Sequence, residues 1–403
     1  MRQRSWRIVP ITDPKSYHAW HDRNVRRGPL AAIALVAGCL QPGSHVCQGG
    51  WVCPEKLACA TAPSYCGVPE QVAKCEGQPD WTTCGYGSGV DGTCRGSVCE
   101  ACTTDREGCA TGGWVSMMAG GSVAALWTGV GQGIAVGPPN RVVEYDGLRW
   151  SDPVAFPSII GGGSLTGVWG GGDGRAFAVA SSGEIFARDA AGAWTRTFMA
   201  PAGLKAIWGS GTSHVFAVGD AGTVARYDGT TWTAETVSPA DPLAAVWGTS
   251  DGADVFAVGK CGGVFRRQGT AWSVSRAPNC PGNVPDLAAV WGSDASHVYA
   301  VGGTTTADVE YFDGGWTTKT VPSSLGLTNL SGVWGRSATD VLAIDHVGDL
   351  LTMPSPDPAT WTNPKIEAGV DFQAITGTPA IPGQFIGDVF IGAANGTIYR
   401  DAP

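Results

Sequence analysis

The stretch LKAIWGSGTSHVFAVGDAGTVARYDGTTW, Leu204 to Trp232, contains the whole architectural signal of this chain. Short apolar runs in it are separated by glycine-containing turns, and Asp228-Gly229 is a dipeptide favoured in hairpin turns that need positive φ. Its opening pattern, Leu-x-x-Val-Trp-Gly or a near variant, recurs around Trp127, Trp169, Trp208, Trp247, Trp291 and Trp334. A seventh copy, Phe372-Gln373-Ala374-Ile375-Thr376-Gly377, has Thr376 in the tryptophan place. Successive copies are 39 to 44 residues apart. A period near 40 with several short β signals per unit predicts a propeller with one four-stranded blade per repeat.

Each unit reads as four strands from its apolar alternation and turn residues. Strand A carries Trp-Gly, and strand B is the Val-Phe-Ala-Val type, as in Val215 to Val218, Val255 to Val258 and Val298 to Val301. Strand C follows a glycine turn, as in Thr223 to Tyr227. Strand D carries a second tryptophan, in the series Trp150, Trp194, Trp232, Trp272, Trp316 and Trp361, and Asp146-Gly147, Asp228-Gly229 and Asp313-Gly314 mark the turns before it. Seven A strands are thus followed by only six D strands. Trp114, in the segment 113 to 118, has the spacing of the missing one. The sequence therefore predicts an all-β, seven-bladed propeller over 111–403 whose last blade is completed by a strand from the front of the domain, which removes the open edge.

Composition agrees. Among 403 residues there are 60 Gly and 17 Trp, and only 15% are charged, which favours short strands and tight turns. The formal charge of −9 argues against nucleic-acid binding, because an acidic surface repels phosphate backbones.

The N-terminal part is different in texture. Arg26-Arg27 precede an apolar run from Leu30 to Ala37, too short to span a bilayer as a helix but long enough for a signal-peptide core. Residues 1–38 are read as a signal peptide, with Val25 as a possible true start of translation. The end of the run, Leu35-Val36-Ala37-Gly38-Cys39, resembles the bacterial lipobox. The resemblance implies that Cys39 becomes the first mature residue and receives lipid, palmitate among its acyl chains. Leu40 after it implies the outer rather than the inner membrane.

Ten cysteines follow between Cys47 and Cys109, and few aliphatic residues accompany them. Residues 39–110 are read as a lipid-anchored disulfide module, in which crosslinks take the place of a missing core. Zinc is the competing reading of Cys99-Glu100-Ala101-Cys102, but a structural site needs four ligands and no second such pair exists. The spacing from Gly92 to Cys99 resembles small growth-factor-like modules.

In the propeller, residues that recur once per blade are read as scaffold. This covers the tryptophans, Arg226, Arg266 and Arg400 in strand C, and His214 and His297 before strand B, since large rings fill the wedge between blades. Functional residues should break the repeat. The long D-to-A loops 151–164, 273–286 and 317–329 and the B-to-C insertion 304–308 are the site candidates, all on one face. Cys261 in a BC loop and Cys280 in the next DA loop are predicted to form a disulfide.

No nucleophile elbow, zinc-protease motif or phosphate loop is present. The one Gly-x-Gly-x-x-Gly match, Gly87 to Gly92, lies between Cys84 and Cys94 without the strand and helix that the motif requires.

The unit L-x-x-V-W-G … V-F-A-V-G … G-T-V-x-R-Y-D-G-T-x-W resembles WG-type propeller repeats of bacterial lipoproteins. More distantly it is similar to sialidase-type (Asp-box) and photosystem-assembly-type propellers. In Asp228-Gly229-Thr230-Thr231-Trp232 the Asp stands four before Trp, where an Asp-box has five. A sialidase would also need channel-facing arginines, and Arg141, Arg149, Arg175, Arg196, Arg276 and Arg336 are the off-repeat candidates.

The function expected is that of a non-enzymatic, monomeric surface lipoprotein that uses no cofactor or metal, is held to the membrane by its lipid, and binds a protein or glycan partner through its loop-rich face. The alternatives are an envelope assembly factor and a sialidase-like glycan-processing enzyme. Carboxylates and arginines converging in the channel would favour the enzyme; a channel lined by apolar or glycine residues would remove it.

Overall fold

The structure, a computed structural model, describes residues 114–401 apart from 130–131, 146–149, 283 and 379–387. Nearer the N-terminus it describes only 45–46, 52–53, 58–60, 65–67, 73, 75, 83–86, 90–95 and 98–101. Cys39, the leader, Arg149 and the Asp146-Gly147 turn lie outside the described residues. The chain divides into two compact units, Met1–Thr111 and Gly112–Pro403.

The described part of the first unit is made of short antiparallel strands. Ala58–Ala60 pairs with Tyr65–Gly67, and Val90–Arg95 pairs with both Thr83–Tyr86 and Val98–Ala101. The registers set Cys59 opposite Cys66 and Cys94 opposite Cys99. Cys75 is fully buried and disulfide-bonded.

The second unit is a seven-bladed propeller. Blades 2 to 5 are four-stranded sheets in the order A-B-C-D. In blade 3 these strands are Leu204–Gly211, His214–Gly219, Thr223–Tyr227 and Trp232–Thr236. Blade 7 consists of Phe372–Gly377, Val389–Ala393, Thr397–Asp401 and, from the other end of the domain, Trp114–Met118. Asp401 faces Trp114 and Thr397 faces Met118, so this N-terminal strand supplies strand D and closes the ring.

The B strands are buried on both sides, as in Val215, Phe216, Ala217 and Val218, because each lies between two neighbouring blades. The described core is accordingly divided into seven apolar clusters distributed around the ring.

Blades 1 and 6 depart from the four-strand expectation. Each has three regular strands, and Trp150 and Trp361 lie beyond them, with isolated bridges Tyr145↔Trp150 and Thr352↔Thr362 in place of a D ladder. Pro153 and Pro364, each three residues after its tryptophan, explain this. Proline has no N–H to donate and restricts the residue before it. The loops after blades 4 and 5 are also shorter than the sequence reading set them, since their D strands run Ala271–Arg276 and Trp316–Lys319.

The Trp-Gly pair of strand A is a joint between blades. A Cβ placed on Gly170 would lie 2.6 Å from the Trp127 ring, on Gly248 2.7 Å from Trp208, and on Gly335 2.6 Å from Trp291. Gly209, Gly292 and Gly377 meet Trp169, Trp247 and Trp334 in the same way. Each indole therefore rests where the following blade's glycine has no side chain. Blade 7 has Thr376 in the Trp place, and blade 1 has the buried Thr128 in the Gly place. Both halves of the joint are replaced together.

The channel mouth as candidate functional site

Strand A lines the central channel with its small residues. Ala125, Gly167, Ala206, Ala289, Gly332 and Ala374 surround a cavity of about 180 Å³. Thr166 and Ser331 also face it, and each donates its hydroxyl to the next blade, to the Leu204 carbonyl (2.8 Å) and the Phe372 carbonyl (2.7 Å) respectively. Lys205 is the charged residue of the lining, and no carboxylate belongs to it. No group of three or more His, Cys, Asp or Glu among the described residues is placed to hold a metal.

The off-repeat arginines do not converge. Arg141 donates to the Ala119 carbonyl. Arg196 pairs with Glu184, Arg276 with Glu310, and Arg336 with both Asp340 and Asp401. Arg175 lies beside Asp173. None of these belongs to the channel lining. The Asp-box-like Asp228 makes a turn: its carboxylate accepts from the Thr230 and Thr231 backbone N–H groups at 2.9 and 2.8 Å, and these bonds hold its pKa far below the usual carboxylate range.

The BC turns and DA loops meet at one end of the channel, where two polar groups break the repeat. Lys205 Nζ is 2.8 Å from Asp220 of the BC turn in blade 3. In blades 6 and 7, His346 Nδ1 is 2.7 Å from Asp371, and the Gln373 amide donates to the same carboxylate oxygen at 2.6 Å. Lys205 and Gln373 occupy the strand-A place that Ala244 and Ala288 fill in blades 4 and 5. His346 is the propeller histidine outside the repeat positions of His214 and His297. Reading the repeat column by column exposes these departures; that they gather at one mouth depends on closure of the ring.

The loops around this mouth are fixed by buried acceptors. Glu184 is fully buried; it accepts from the Ile160 backbone N–H (2.9 Å) and Ser182, and pairs with Arg196 (2.9 Å). Burial alone would raise its pKa, but Arg196, Ile160 and Ser182 together hold it below the ordinary value. Asp345, also fully buried, accepts from Val347 and Asp349, with Thr328 N at 3.4 Å from its second oxygen.

Cys261 and Cys280 are joined by a disulfide, with Cα atoms 4.9 Å apart. It crosslinks the BC turn of blade 4 to the DA loop that follows, where Cys261 N–H also donates to Asp286 at 2.7 Å. Glu367 accepts from the Tyr399 hydroxyl at 2.6 Å; burial and then this bond push the phenol up to about 12. Ile160 (51% exposed) and Val347 (43%) remain as exposed apolar side chains on this face.

No family model and no curated protein matches the chain. Solved structures do. One described as YCF48 bound to D1 peptide has a TM-score of 0.56 at 15% identity, over 72% of this chain and 97% of that one. YCF48 from Cyanidioschyzon merolae has a TM-score of 0.55 at 16% identity, over 72% of this chain and 98% of that one. At this identity the likeness establishes the propeller fold alone.

Proposed function

We propose that this protein is a non-catalytic binding propeller whose BC/DA face takes a protein segment at the channel mouth. One observation carries the reading: the channel is lined by small side chains without a carboxylate, and its mouth is rimmed by the Lys205–Asp220 and His346–Asp371–Gln373 groups. Such a surface offers hydrogen bonds and room for side chains, and its cationic and imidazole groups each lie against a carboxylate of their own in separate blades. The similar propeller bound to D1 peptide supports a peptide ligand.

The address is part of the proposal. The leader before Cys39 and the cysteine-rich segment 39–110 favour an exported lipoprotein, anchored in the bacterial outer membrane and carrying the propeller on a disulfide-stapled spacer. The register opposing Cys59 to Cys66 and Cys94 to Cys99 supports two of those staples.

Photo-crosslinkers placed at Ile160 and Val347, with Ser296 on the opposite end as control, test the binding face in the full chain in its own cells. One protein captured from both of the first two positions and not from Ser296 is the expected result. Equal capture from Ser296, or no capture from any position, overturns the reading.

A further inference from the structure

The seam between blades 2 and 3 lacks a pair of side chains present in the next seam. Between blades 3 and 4, Arg226 pairs with Glu235 at 3.1 Å, and Glu235 accepts the Trp272 indole N–H at 3.1 Å. One blade earlier Ala187 takes the place of Arg226, and Phe198, opposite Ile185 as Glu235 is opposite Val224, takes the place of Glu235, with Thr197 as the extra residue of a bulge beside it. Thr197 donates its hydroxyl to the Ile185 carbonyl, and Trp232 Nε1 is buried without a partner.

The vacated space is a groove of about 540 Å³ opening at the AB/CD end, away from the channel mouth. Its walls are Phe177, Phe198, Tyr227 and Trp232, with ring centroids 5.1 to 6.2 Å apart in successive contacts. Hydroxyl and guanidinium groups of Thr197, Thr230, Thr231, Arg175 and Arg188 line it beside this aromatic wall.

The polar groups define the ligand further. Thr197, Thr230 and Thr231 have their hydroxyl hydrogens committed, to the Ile185 carbonyl and to Asp228, so they offer lone pairs to hydroxyl donors. Two arginines and no carboxylate line the groove. Arg188 is held by both oxygens of Glu144 at 2.8 Å. Arg175 is 61% exposed and approaches Asp173 only to 4.0 Å, which leaves its planar fork able to take a carboxylate.

We infer that this groove binds an acidic sugar unit, a pyranose carrying a carboxylate, within a surface polysaccharide. The ring's C–H face lies against the aromatic wall, its hydroxyls donate to the threonines, and its carboxylate pairs with Arg175. The site is separate from the channel mouth and does not depend on the peptide reading.

Titration calorimetry of the full-length protein with an oligogalacturonate, a neutral chito-oligosaccharide and a polyglutamate peptide tests this. The oligogalacturonate binds; the neutral sugar binds at least tenfold more weakly. Arg175→Gln weakens oligogalacturonate binding about tenfold. The double variant Ala187→Arg/Thr197→Glu, which places an oppositely charged pair inside the groove, abolishes it at an unchanged melting temperature. The inference is overturned by oligogalacturonate failing to bind, by equal binding to a folded double variant, or by polyglutamate binding as tightly with the same dependence on Arg175. Because crosslinking at Ile160 and Val347 reads the other end of the channel, the two readings can fail separately.

Discussion

Gly248 and Gly211 are both in or beside Trp-Gly segments, yet only one is required by packing. A Cβ on Gly248 meets the Trp208 ring at 2.7 Å and the Asp254 carbonyl at 2.6 Å, whereas nothing lies within 4 Å of one on Gly211. Gly248→Ala is expected to cost about 1–3 kcal/mol through overpacking, and Gly211→Ala to be neutral or slightly stabilising because it restricts the unfolded chain. Denaturant titration of the two variants checks the contrast. Asp308 presents a second case at this scale. Its Oδ2 is buried and unpartnered, and burial raises its pKa, opposed by Arg276. A carboxyl whose folded pKa is raised contributes stability that is full at pH below its unfolded pKa and is lost as pH rises through the folded value. Asp308→Asn should therefore match the parent near pH 4 and melt at a higher temperature near pH 8. An equal melting difference at both pH values would count against the assignment.

Among the elements, the closing strand Trp114–Met118 and the disulfide do different work. The strand pairs along its length with Thr397–Asp401, so deleting 111–119 exposes a full ladder edge and the packing of blade 7. Loss of cooperative unfolding, followed by circular dichroism on heating, is the expected outcome. The Cys261–Cys280 bridge spans 19 residues. Removing it as Cys261→Ala/Cys280→Ala should lower stability by about 3 kcal/mol, and limited proteolysis should find cleavage within 277–286. The blades and their closing strand were legible in the sequence because the Trp spacing fixes register. The loss of a D ladder after Trp150 and Trp361 was legible too, in Pro153 and Pro364, but the tryptophan series alone conceals it. The gathering of the Lys205–Asp220 and His346–Asp371–Gln373 groups at one mouth was not, because the BC and DA ends of different blades come together only when the ring closes. The blade 2–3 groove needed both kinds of information: Ala187 departs in sequence from the strand-C arginine of Arg226, Arg266 and Arg400, but only the seam shows that Trp232 gains an open side.

At the scale of the whole molecule, the apolar clusters each join neighbouring blades, which makes stability a sum over blades and the seams between them. The proposed export and anchoring are tested together by Cys39→Ser: the parent should partition with membranes and incorporate labelled palmitate, and the variant should do neither. The joint between blades 7 and 1 differs from the other six in having Thr376 and Thr128 in place of Trp and Gly. It also adjoins the blade that the N-terminal strand completes. Everything N-terminal to the propeller enters the ring through that strand. A partner held on the propeller while the N-terminal segment is fixed would therefore transmit tension first into the Trp114–Met118 ladder. If the anchoring proposed above holds, this strand is the ring's latch under mechanical load, placed beside the joint without an indole lock, and its opening force sets how hard the propeller can be pulled before it unfolds.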